Sequence, residues 1–234
     1  MRVLLLAAGV GSRLKPITET IPKCLVPIGG KPLLLIWLEK LSHAGFGPFL
    51  INTHWLNVQV EEFINKSNFK DQVSLVYEPE LLGTAGTLAA NIDFFQGDDG
   101  LVLHADNYCE ADLRAFQNAH EQRPNSTEAT MMTFRTVDPH SCGIVEVDGD
   151  GIIIGFHEKV KYPPSNLANG AVYILSSSIL ETLRHLNRPL VDFSTDIIPL
   201  FYDKFYTHEI RELFADIGQV KIYKKFIHHN VNCL

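Results

Sequence analysis

An uninterrupted run of six apolar residues, Val3–Ala8, lies near the start of the chain and stops at Gly9. The run is too short for a buried helix, and it is apolar on both faces, as strands in the middle of a parallel sheet are. It is followed by a long segment rich in Gly, Pro and Thr, residues 9–31. Loops of this length inside compact domains are usually functional. The two features together predict a central parallel strand with a functional loop at its carboxyl end.

Strand-like and helix-like segments alternate after this loop. The predicted strands are residues 49–53, 73–77 and 100–104, and the predicted helices are residues 32–44, 58–65 and 87–95. This order is typical of right-handed βαβ units on a mostly parallel sheet. Ligands of such sheets bind beyond the carboxyl ends of the strands. Three segments with polar or glycine-rich sequences fall there, at residues 9–13, 78–86 and Asp106.

The second half of the chain is richer in strands. Asp148–Gly151 is a turn sequence between two strand-like segments and predicts a hairpin. The predicted strands are residues 130–135, 143–147, 152–157 and 171–175, followed by a helix at 177–186. We therefore expect an α/β fold with a Rossmann-like, mostly parallel sheet flanked by helices and a smaller β-rich part. No linker interrupts the sequence, so we expect one domain, 1–234, with halves of about 1–110 and 111–234.

The composition argues against several kinds of partner. The formal net charge is -7 and the pI is near 5.8, which disfavours nonspecific binding to nucleic acid or to anionic membranes. No stretch approaches the roughly 18 apolar residues of a membrane span. The apolar run is followed by charged Arg13 and Lys15 and by no cleavage pattern, so we expect a cytoplasmic protein. The 4 cysteines form no C-x-x-C pair and have no zinc spacing, so we expect free thiols.

The loop after the first predicted strand combines small residues with cations. Gly9 and Gly11 allow backbone N–H groups to approach an anion closely. Arg13 offers a fork of donors to phosphate oxygens, and Lys23 offers a point charge. The spacing is not the dinucleotide pattern G-x-G-x-x-G, because Leu14 stands at the third glycine position, and it is not a Walker A loop. On the glycines alone a plain turn is the simpler interpretation.

The longer string around this loop changes that interpretation. Residues 6–28 resemble the signature of the sugar-nucleotidyltransferase family, commonly G-x-G-T-R-L-x-P-L-T-x-x-x-P-K-P-L-V-P. Ser12 stands where the family has threonine and keeps the hydroxyl group. Cys24 replaces the proline that usually follows the lysine, which leaves a less rigid turn beside Lys23.

Three further segments match the family in the same order. Residues 78–86 resemble the base-binding loop E-x-P-L-G-T-A-G, with one extra residue. Asp106 follows a buried strand, as the metal-binding aspartate of the family does. Residues 214–219 resemble W-x-D-I-G-Q, with Phe214 in place of tryptophan and Asp216 as the second aspartate. Taken singly, each aspartate fits a turn cap or a surface carboxylate; their order beside the loop signature favours the family.

The second half matches the acceptor-binding segments of the family. Cys142–Val145 resembles the strand Y-G-V-V, whose glycine, here Gly143, would lie against the sugar. Glu158 and Lys159 resemble the E-K pair that meets sugar hydroxyls and the sugar phosphate; as an isolated exposed ion pair they would contribute little. Asn169–Tyr173 resembles N-A-G-I-Y with the two small residues inverted.

The resemblance implies a nucleotidyltransferase that joins a nucleoside triphosphate to a sugar 1-phosphate with Mg²⁺ as cofactor. The first half would bind the nucleotide and the second half the acceptor. The implied catalytic residues are Arg13, Lys23, Asp106 and Asp216, of which the two aspartates would hold the metal. The implied nucleotide-binding residues are Leu6, Ala8, Gly9, Gly11, Ser12, Gly83 and Thr84. The implied sugar-phosphate-binding residues are Gly143, Glu158, Lys159 and Asn169.

The motifs look most like those of mannose-1-phosphate guanylyltransferases, so the expected substrates are GTP and mannose 1-phosphate or a similar hexose or heptose phosphate. UTP or CTP as donor, a phosphocholine-type acceptor, and a homodimeric assembly stay open. The alternative outside the enzymes is a non-catalytic subunit that binds a nucleotide-sugar. The presence of all four catalytic residue types argues against that alternative. We expect neither nucleic acid nor a membrane as a partner.

Overall fold

The computed structural model describes residues 1–185, 191–218 and 220–228. Within these ranges the strands are β1 (Arg2–Leu6), β2 (Pro27–Ile28), β3 (Lys31–Pro32), β4 (Phe49–Thr53), β5 (Val73–Tyr77), β6 (Gly100–His104), β7 (Asn107–Cys109), β8 (Ala129–Arg135), β9 (Gly143–Val147), β10 (Ile153–Glu158), β11 (Leu167–Leu175), β12 (Phe205–Glu209) and β13 (Phe214–Asp216). The α-helices are α1 (Leu33–His43), α2 (Asn57–Lys66), α3 (Gly83–Ala90), α4 (Leu113–Glu121), α5 (Ser177–Arg184) and α6 (Val220–Phe226). None of the described helices is long and apolar enough to cross a lipid bilayer.

The chain forms two compact units. Unit 1 contains Met1–Leu81, Leu103–Glu110 and the described residues from Leu213 onward, and unit 2 contains Leu82–Val102 and Ala111–Glu212. The expected halves differ from these units in two places, because residues 82–102 group with unit 2 and the last part of the chain groups with unit 1. That last part joins unit 1 through the antiparallel pairing of β13 with β7.

Unit 1 is built on a parallel sheet in the order β6-β1-β4-β5, to which β6 contributes its last two residues. The register pairs Leu6 with Asn52 and Asn52 with Val76, so the carboxyl ends of β1, β4 and β5 lie side by side. Residues 3–5 of β1 are fully buried, as expected for a central strand. The predicted α/β fold with a parallel sheet is confirmed.

Unit 2 contains the β-rich part. Its strands run in the order β10-β9-β11, and β8 pairs with both β11 and β12. The hairpin between β9 and β10 is confirmed, and its turn is held by Asp148 Oδ1, which accepts hydrogen bonds from the N–H groups of Asp150 and Ile152. The pairings of β9 with β10, of β8 with β11 and of β9 with β11 are antiparallel, and that of β8 with β12 is parallel.

Strand β11 and helix α3 differ most from their predicted bounds. Strand β11 begins at Leu167 instead of residue 171, because residues 167–169 pair with β8, and this tertiary pairing overrides the weak strand propensity of the small residues there. Helix α3 begins at Gly83 instead of residue 87 and ends at Ala90 instead of residue 95, because Ile92–Phe95 forms a separate 3-10 helix. The glycine-rich sequence predicted a loop, but Ala85 is fully buried and its N–H group donates to the carbonyl of Val191.

Candidate functional site

The two predicted metal-binding aspartates lie together in unit 1 because β7 and β13 pair. Their antiparallel register places Asp216 opposite Asn107, next to Asp106. The buried indole of Trp37 donates a hydrogen bond from Nε1 to the carbonyl of Asn107 at 2.8 Å, which anchors this short sheet to α1. The two aspartates, far apart in sequence, are therefore brought to one point by backbone pairing.

Lys23 lies between the two carboxylates. Its Nζ is 2.5 Å from Asp106 Oδ2 and 3.7 Å from Asp216 Oδ1, and only 6% of its side chain is exposed. Arg13 lies on the open side of the cluster, with Nη2 3.5 Å from Asp216 Oδ2 and 59% of its side chain exposed. The structure thus brings together all four residues expected to be catalytic, Arg13, Lys23, Asp106 and Asp216, within unit 1.

The cluster favours ionised carboxylates. Burial raises the pKa of Asp106, whereas the ammonium group of Lys23 and the imidazole of His104 lower it. The lowering effects outweigh burial, so the pKa of Asp106 lies below its ordinary value. Beside Lys23, burial raises the pKa of Cys24 to about 12. Cys24 is therefore a thiol at neutral pH and packs as an apolar residue, whereas Asp106 carries the negative charge that a cation requires.

The loop after β1 has a defined shape around this cluster. Gly11 adopts a left-handed φ of 67°, and a Cβ there would lie 2.8 Å from Thr18 Cγ2. The hydroxyl of Thr18 donates to the Gly11 carbonyl at 2.8 Å, and the indole of Trp55 donates to the Thr18 carbonyl at 2.9 Å. Gly9 and Ser12 are exposed, and a Cβ at Gly9 would meet nothing within 4 Å. The loop is held at its base and is open where an anion would approach.

The backbone at the end of β1 is positioned by residues that the motifs did not identify. Asn52 Oδ1 accepts a hydrogen bond from the Ala7 N–H group at 2.7 Å, and Asn52 Nδ2 donates to Glu78 Oε1 at 3.0 Å. Both side chains are buried. The expected nucleotide-binding residues Leu6 and Ala8 flank Ala7 and are also buried. The amide residue Asn52, near the carboxyl end of an otherwise largely apolar strand, was the sequence signal for this contact.

The remaining expected nucleotide-binding residues lie in unit 2, at the start of α3. Gly83 has a left-handed φ of 77°, and a Cβ there would clash with the Val191 carbonyl. The hydroxyl of Thr84 accepts a hydrogen bond from the Phe193 N–H group at 2.7 Å. Both residues are therefore fixed by the segment that follows residue 190, and glycine is required at position 83.

Three of the expected acceptor-binding residues meet in unit 2. The register of β9 and β10 pairs Gly143 with Glu158, and a Cβ at Gly143 would lie 2.7 Å from Glu158 Oε2. Lys159 Nζ is 2.6 Å from Glu158 Oε1, and Lys159 has a left-handed φ of 49°. The Lys159 N–H group donates to the carbonyl of Cys142 at 3.2 Å, which closes the end of the hairpin. The ion pair thus lies against a glycine that leaves room for it.

Asn169, the fourth residue of the expected acceptor group, is held at both ends of its amide. Its Nδ2 donates to the Tyr173 hydroxyl at 2.7 Å, and its Oδ1 accepts from the Ala171 N–H group at 2.9 Å. Tyr173 is fully buried and stacks on Phe193 with a centroid distance of 4.3 Å. Burial raises the pKa of Tyr173, the hydrogen bond from Asn169 opposes this rise, and the carboxylate of Asp192 raises the pKa further. Sequence reasoning assigned no role to Tyr173 or Phe193.

The donor set of unit 1 suits a hard divalent cation. Mg²⁺ is usually bound by one or two carboxylates, with water and phosphate oxygens completing its shell. Asp106 and Asp216 supply two carboxylates on either side of one ammonium group. Across the described ranges, no three or more His, Cys, Asp or Glu side chains are grouped as a metal cage. Two carboxylates fit a metal that shares its coordination with a phosphate ligand.

A parallel α/β sheet with two carboxylates, a buried lysine and an exposed arginine at its strand ends is typical of proteins that bind phosphorylated ligands with a divalent cation. The family comparison agrees with this class and is more specific. The model of the family described as Nucleotidyl transferase matches residues 2–230, and the chain belongs to this family.

Curated relatives and solved structures with similar sequences carry related names. The chain is 32% identical to a mannose-1-phosphate guanyltransferase of Schizosaccharomyces pombe, over 95% of this chain and 62% of that protein. It is 34% identical to a glucose-1-phosphate thymidylyltransferase of Streptomyces griseus, over 78% of this chain and 51% of that protein. The crystal structure of HddC from Yersinia pseudotuberculosis complexed with GMP-PN superposes with a TM-score of 0.81 at 26% identity, covering 97% of both chains.

The chain spans 62% of the first of these curated relatives and 51% of the second.

Proposed function

We propose that the chain transfers a nucleoside monophosphate from a nucleoside triphosphate, GTP, to a sugar 1-phosphate such as mannose 1-phosphate, and releases pyrophosphate. The observation that carries this proposal is the cluster in unit 1, where Lys23 lies 2.5 Å from Asp106 and 3.7 Å from Asp216, with Arg13 beside Asp216. Two carboxylates can bind a divalent metal ion, and two neighbouring cations can bind the oxygens of a polyphosphate.

The proposed reaction is an in-line displacement at phosphorus. An oxygen of the sugar phosphate forms a bond to the α-phosphorus, the bond from this phosphorus to the bridging oxygen breaks, and pyrophosphate leaves with that electron pair. The attacking phosphate is already ionised near neutral pH, so no general base is required. The main obstacle is charge repulsion among phosphate oxygens. Arg13 would hold pyrophosphate oxygens in its guanidinium fork, and Lys23 would neutralise charge on the same group.

A bound metal ion would reduce the same repulsion among phosphate oxygens. When held by Asp106 and Asp216, Mg²⁺ would act as a Lewis acid on the phosphate oxygens. The lowered pKa of Asp106 supports this role, because the carboxylate stays ionised throughout the neutral range. The exposed loop residues Gly9 and Ser12 would supply backbone and hydroxyl donors to the triphosphate.

The acceptor side of the proposal rests on unit 2. Glu158 would accept hydrogen bonds from sugar hydroxyls, and Lys159 would hold the acceptor phosphate in line for attack. Gly143 would act by leaving room for Phe156 and for the carboxylate of Glu158. Asn169 would offer its remaining amide hydrogen and lone pair to the sugar. The support for this assignment is that Gly143, Glu158 and Lys159 meet at one strand end, and that the amide of Asn169 is already oriented by two hydrogen bonds.

The choice of GTP and mannose 1-phosphate draws on the named relative of Schizosaccharomyces pombe and on the GMP-PN bound to the HddC protein. The thymidylyltransferase of Streptomyces griseus keeps other donors open. The test is a panel of GTP, UTP, CTP and dTTP against several sugar 1-phosphates, with Mg²⁺ present and released pyrophosphate measured. Rapid release with GTP and mannose 1-phosphate is expected. No release with any pair, together with tight binding of a nucleotide-sugar, would instead identify a non-catalytic binding subunit.

A further inference from the structure

The ammonium group of Lys23 occupies the space between two carboxylates. It is 2.5 Å from Asp106 Oδ2 and 3.7 Å from Asp216 Oδ1, and its side chain is 6% exposed. An ammonium group is a compact cation with three donors, and it satisfies carboxylate oxygens much as a bound metal ion does. The aspartate pair of this chain therefore already has a cation.

The surrounding backbone is shaped to keep this cation in place. Lys23 begins a short 3-10 turn, in which the Leu25 N–H group donates to the Pro22 carbonyl at 2.8 Å. On the other side, the Gly218 N–H group donates to Asp216 Oδ1 at 2.8 Å, and a Cβ at Gly218 would lie 2.7 Å from Lys23 Nζ. The lysine and the second aspartate thus come together because residue 218 has no side chain.

The charges of the cluster are balanced without a metal. Asp106 and Asp216 contribute two negative charges, and Lys23 and Arg13 contribute two positive ones. A divalent cation that arrived alone would face the buried ammonium group of Lys23 beside the same carboxylates, and repulsion between charges at this range is strong where solvent is excluded. The guanidinium of Arg13 is exposed, so water screens its repulsion more. A metal that arrives on a triphosphate brings anionic oxygens, which give both cations new partners.

We propose that Lys23 is the resident cation of the aspartate pair, and that it excludes a free divalent cation until a triphosphate supplies the ammonium group with new partners. The metal would then bind only together with the triphosphate. This inference rests on the part of the proposed function in which Asp106 and Asp216 hold the metal. It adds that Lys23, besides its contact with phosphate, determines when the metal can bind.

The test measures binding of Mn²⁺ to the free protein, because Mn²⁺ has the same preference for carboxylate oxygens as Mg²⁺ and is detected directly by electron paramagnetic resonance. We expect weak binding of Mn²⁺ alone by the wild type, and tighter binding when a triphosphate is added. Lys23→Met should bind Mn²⁺ alone at least about tenfold more tightly than the wild type, a change of about 1.4 kcal/mol. Lys23→Arg keeps the charge and should stay close to the wild type.

Two further variants make the measurement specific. Lys31→Met is the matched control, because Lys31 also forms a short ion pair, 2.6 Å from Glu39, but with neither of the two aspartates, and it should leave Mn²⁺ binding unchanged. Adding Asp106→Asn to Lys23→Met should abolish the gain. If Lys23→Met is too unstable to purify, Lys23→Gln provides the same test, because its amide still donates to Asp106 without carrying a charge.

The outcomes separate this inference from the proposed function. Equal Mn²⁺ affinity, within about twofold, for the wild type and for the uncharged Lys23 variants would overturn the inference whatever the turnover of the wild type. A gain in Lys23→Met that survives the added Asp106→Asn change would also overturn it, because the new site would lie elsewhere. A wild type that releases no pyrophosphate with any substrate pair would refute the proposed function, and a gain that depends on Asp106 would still support the inference.

Discussion

Replacing Gly218 with alanine would separate the role of the Lys23–Asp216 contact in turnover from its role in folding. A Cβ at position 218 would lie 2.7 Å from Lys23 Nζ, 2.7 Å from Asp216 Oδ1 and 3.3 Å from Lys23 Cε. Favourable contacts between such atoms lie at about 3.5–4.0 Å, so the ammonium group has to move by roughly 1 Å. Gly218 does not have a left-handed φ, so alanine introduces no backbone strain there.

The expected costs of this change differ for folding and for turnover. The end of a lysine side chain is flexible and can move aside, so we expect a loss of about 1 kcal/mol in the free energy of unfolding, at the low end for overpacking. Turnover depends on the position of the ammonium group, and a displacement of about 1 Å in an active site costs up to roughly a hundredfold. We therefore expect turnover to fall about 10- to 100-fold in a protein that remains folded.

The assay is pyrophosphate release at saturating concentrations of both substrates, alongside urea unfolding of the same preparations. The matched control is Gly149→Ala, because a Cβ at Gly149 meets nothing within 4 Å, and both quantities should be unchanged there. Turnover of Gly218→Ala equal to that of Gly149→Ala would refute the argument. A loss of turnover that follows the unfolded fraction alone would refute it as well.

Asp106→Asn should lower turnover at least about a hundredfold over a titration of Mg²⁺, because it removes a carboxylate from the proposed metal site, and near-normal turnover would contradict that site. Lys159→Ala should lower kcat/KM for the acceptor about 10- to 100-fold, as expected for loss of a charge-assisted bond of about 1.5–3 kcal/mol. The Kd of the triphosphate, measured by calorimetry without acceptor, should barely change, and a defect confined to this Kd would overturn the acceptor assignment. Ala171→Gly should raise the free energy of unfolding by about 0.5–1 kcal/mol, since a φ of 52° disfavours a side chain; a lower urea midpoint would count against it. A hydrogen bond from His120 lowers the pKa of Asp99 below its ordinary value of 3.8. The ionised carboxylate therefore stabilises the folded protein above pH 3.8, and this stabilisation is lost as the pH falls through the lowered pKa of Asp99. In wild type the urea midpoint should fall as the pH drops below about 4, and in His120→Asn this fall should be smaller. An equal fall in both proteins would show that the His120–Asp99 pair does not cause it.

The local pattern of the sequence was sufficient to predict most of the sheet. The predicted bounds of β4, β5, β6 and β9 agree with the structure at both ends. These strands are short apolar or alternating runs between turn-forming residues, and such periodicity depends only on neighbours in sequence. The predicted bounds differ most at β11 and α3, and at the start of each of these elements distant segments stabilise residues whose own propensities favour a loop.

Motif order identified the segments of the candidate site but not the contacts within them. Lys23 was expected to meet phosphate, and nothing in its sequence neighbourhood indicates the ion pair with Asp106, 83 residues away. The pairing of β7 with β13 brings Asp216 to the same point. The residue that leaves space for the ammonium group is Gly218, whose importance depends on that pairing.

Two buried residues that support the candidate site show the same difference between what the sequence indicates and what the structure decides. Asn52 and Tyr173 both lie in predicted strands, and their roles come from hydrogen bonds to Ala7 and to Asn169. By itself, the sequence determined the order of strands and helices, the family resemblance and the candidate residues, because periodicity and motif spacing are local properties. Only the tertiary structure decided which charges are paired and which amides are fixed. The physical reason is that strand pairing and burial bring together groups that are far apart along the chain, and burial makes their contacts specific.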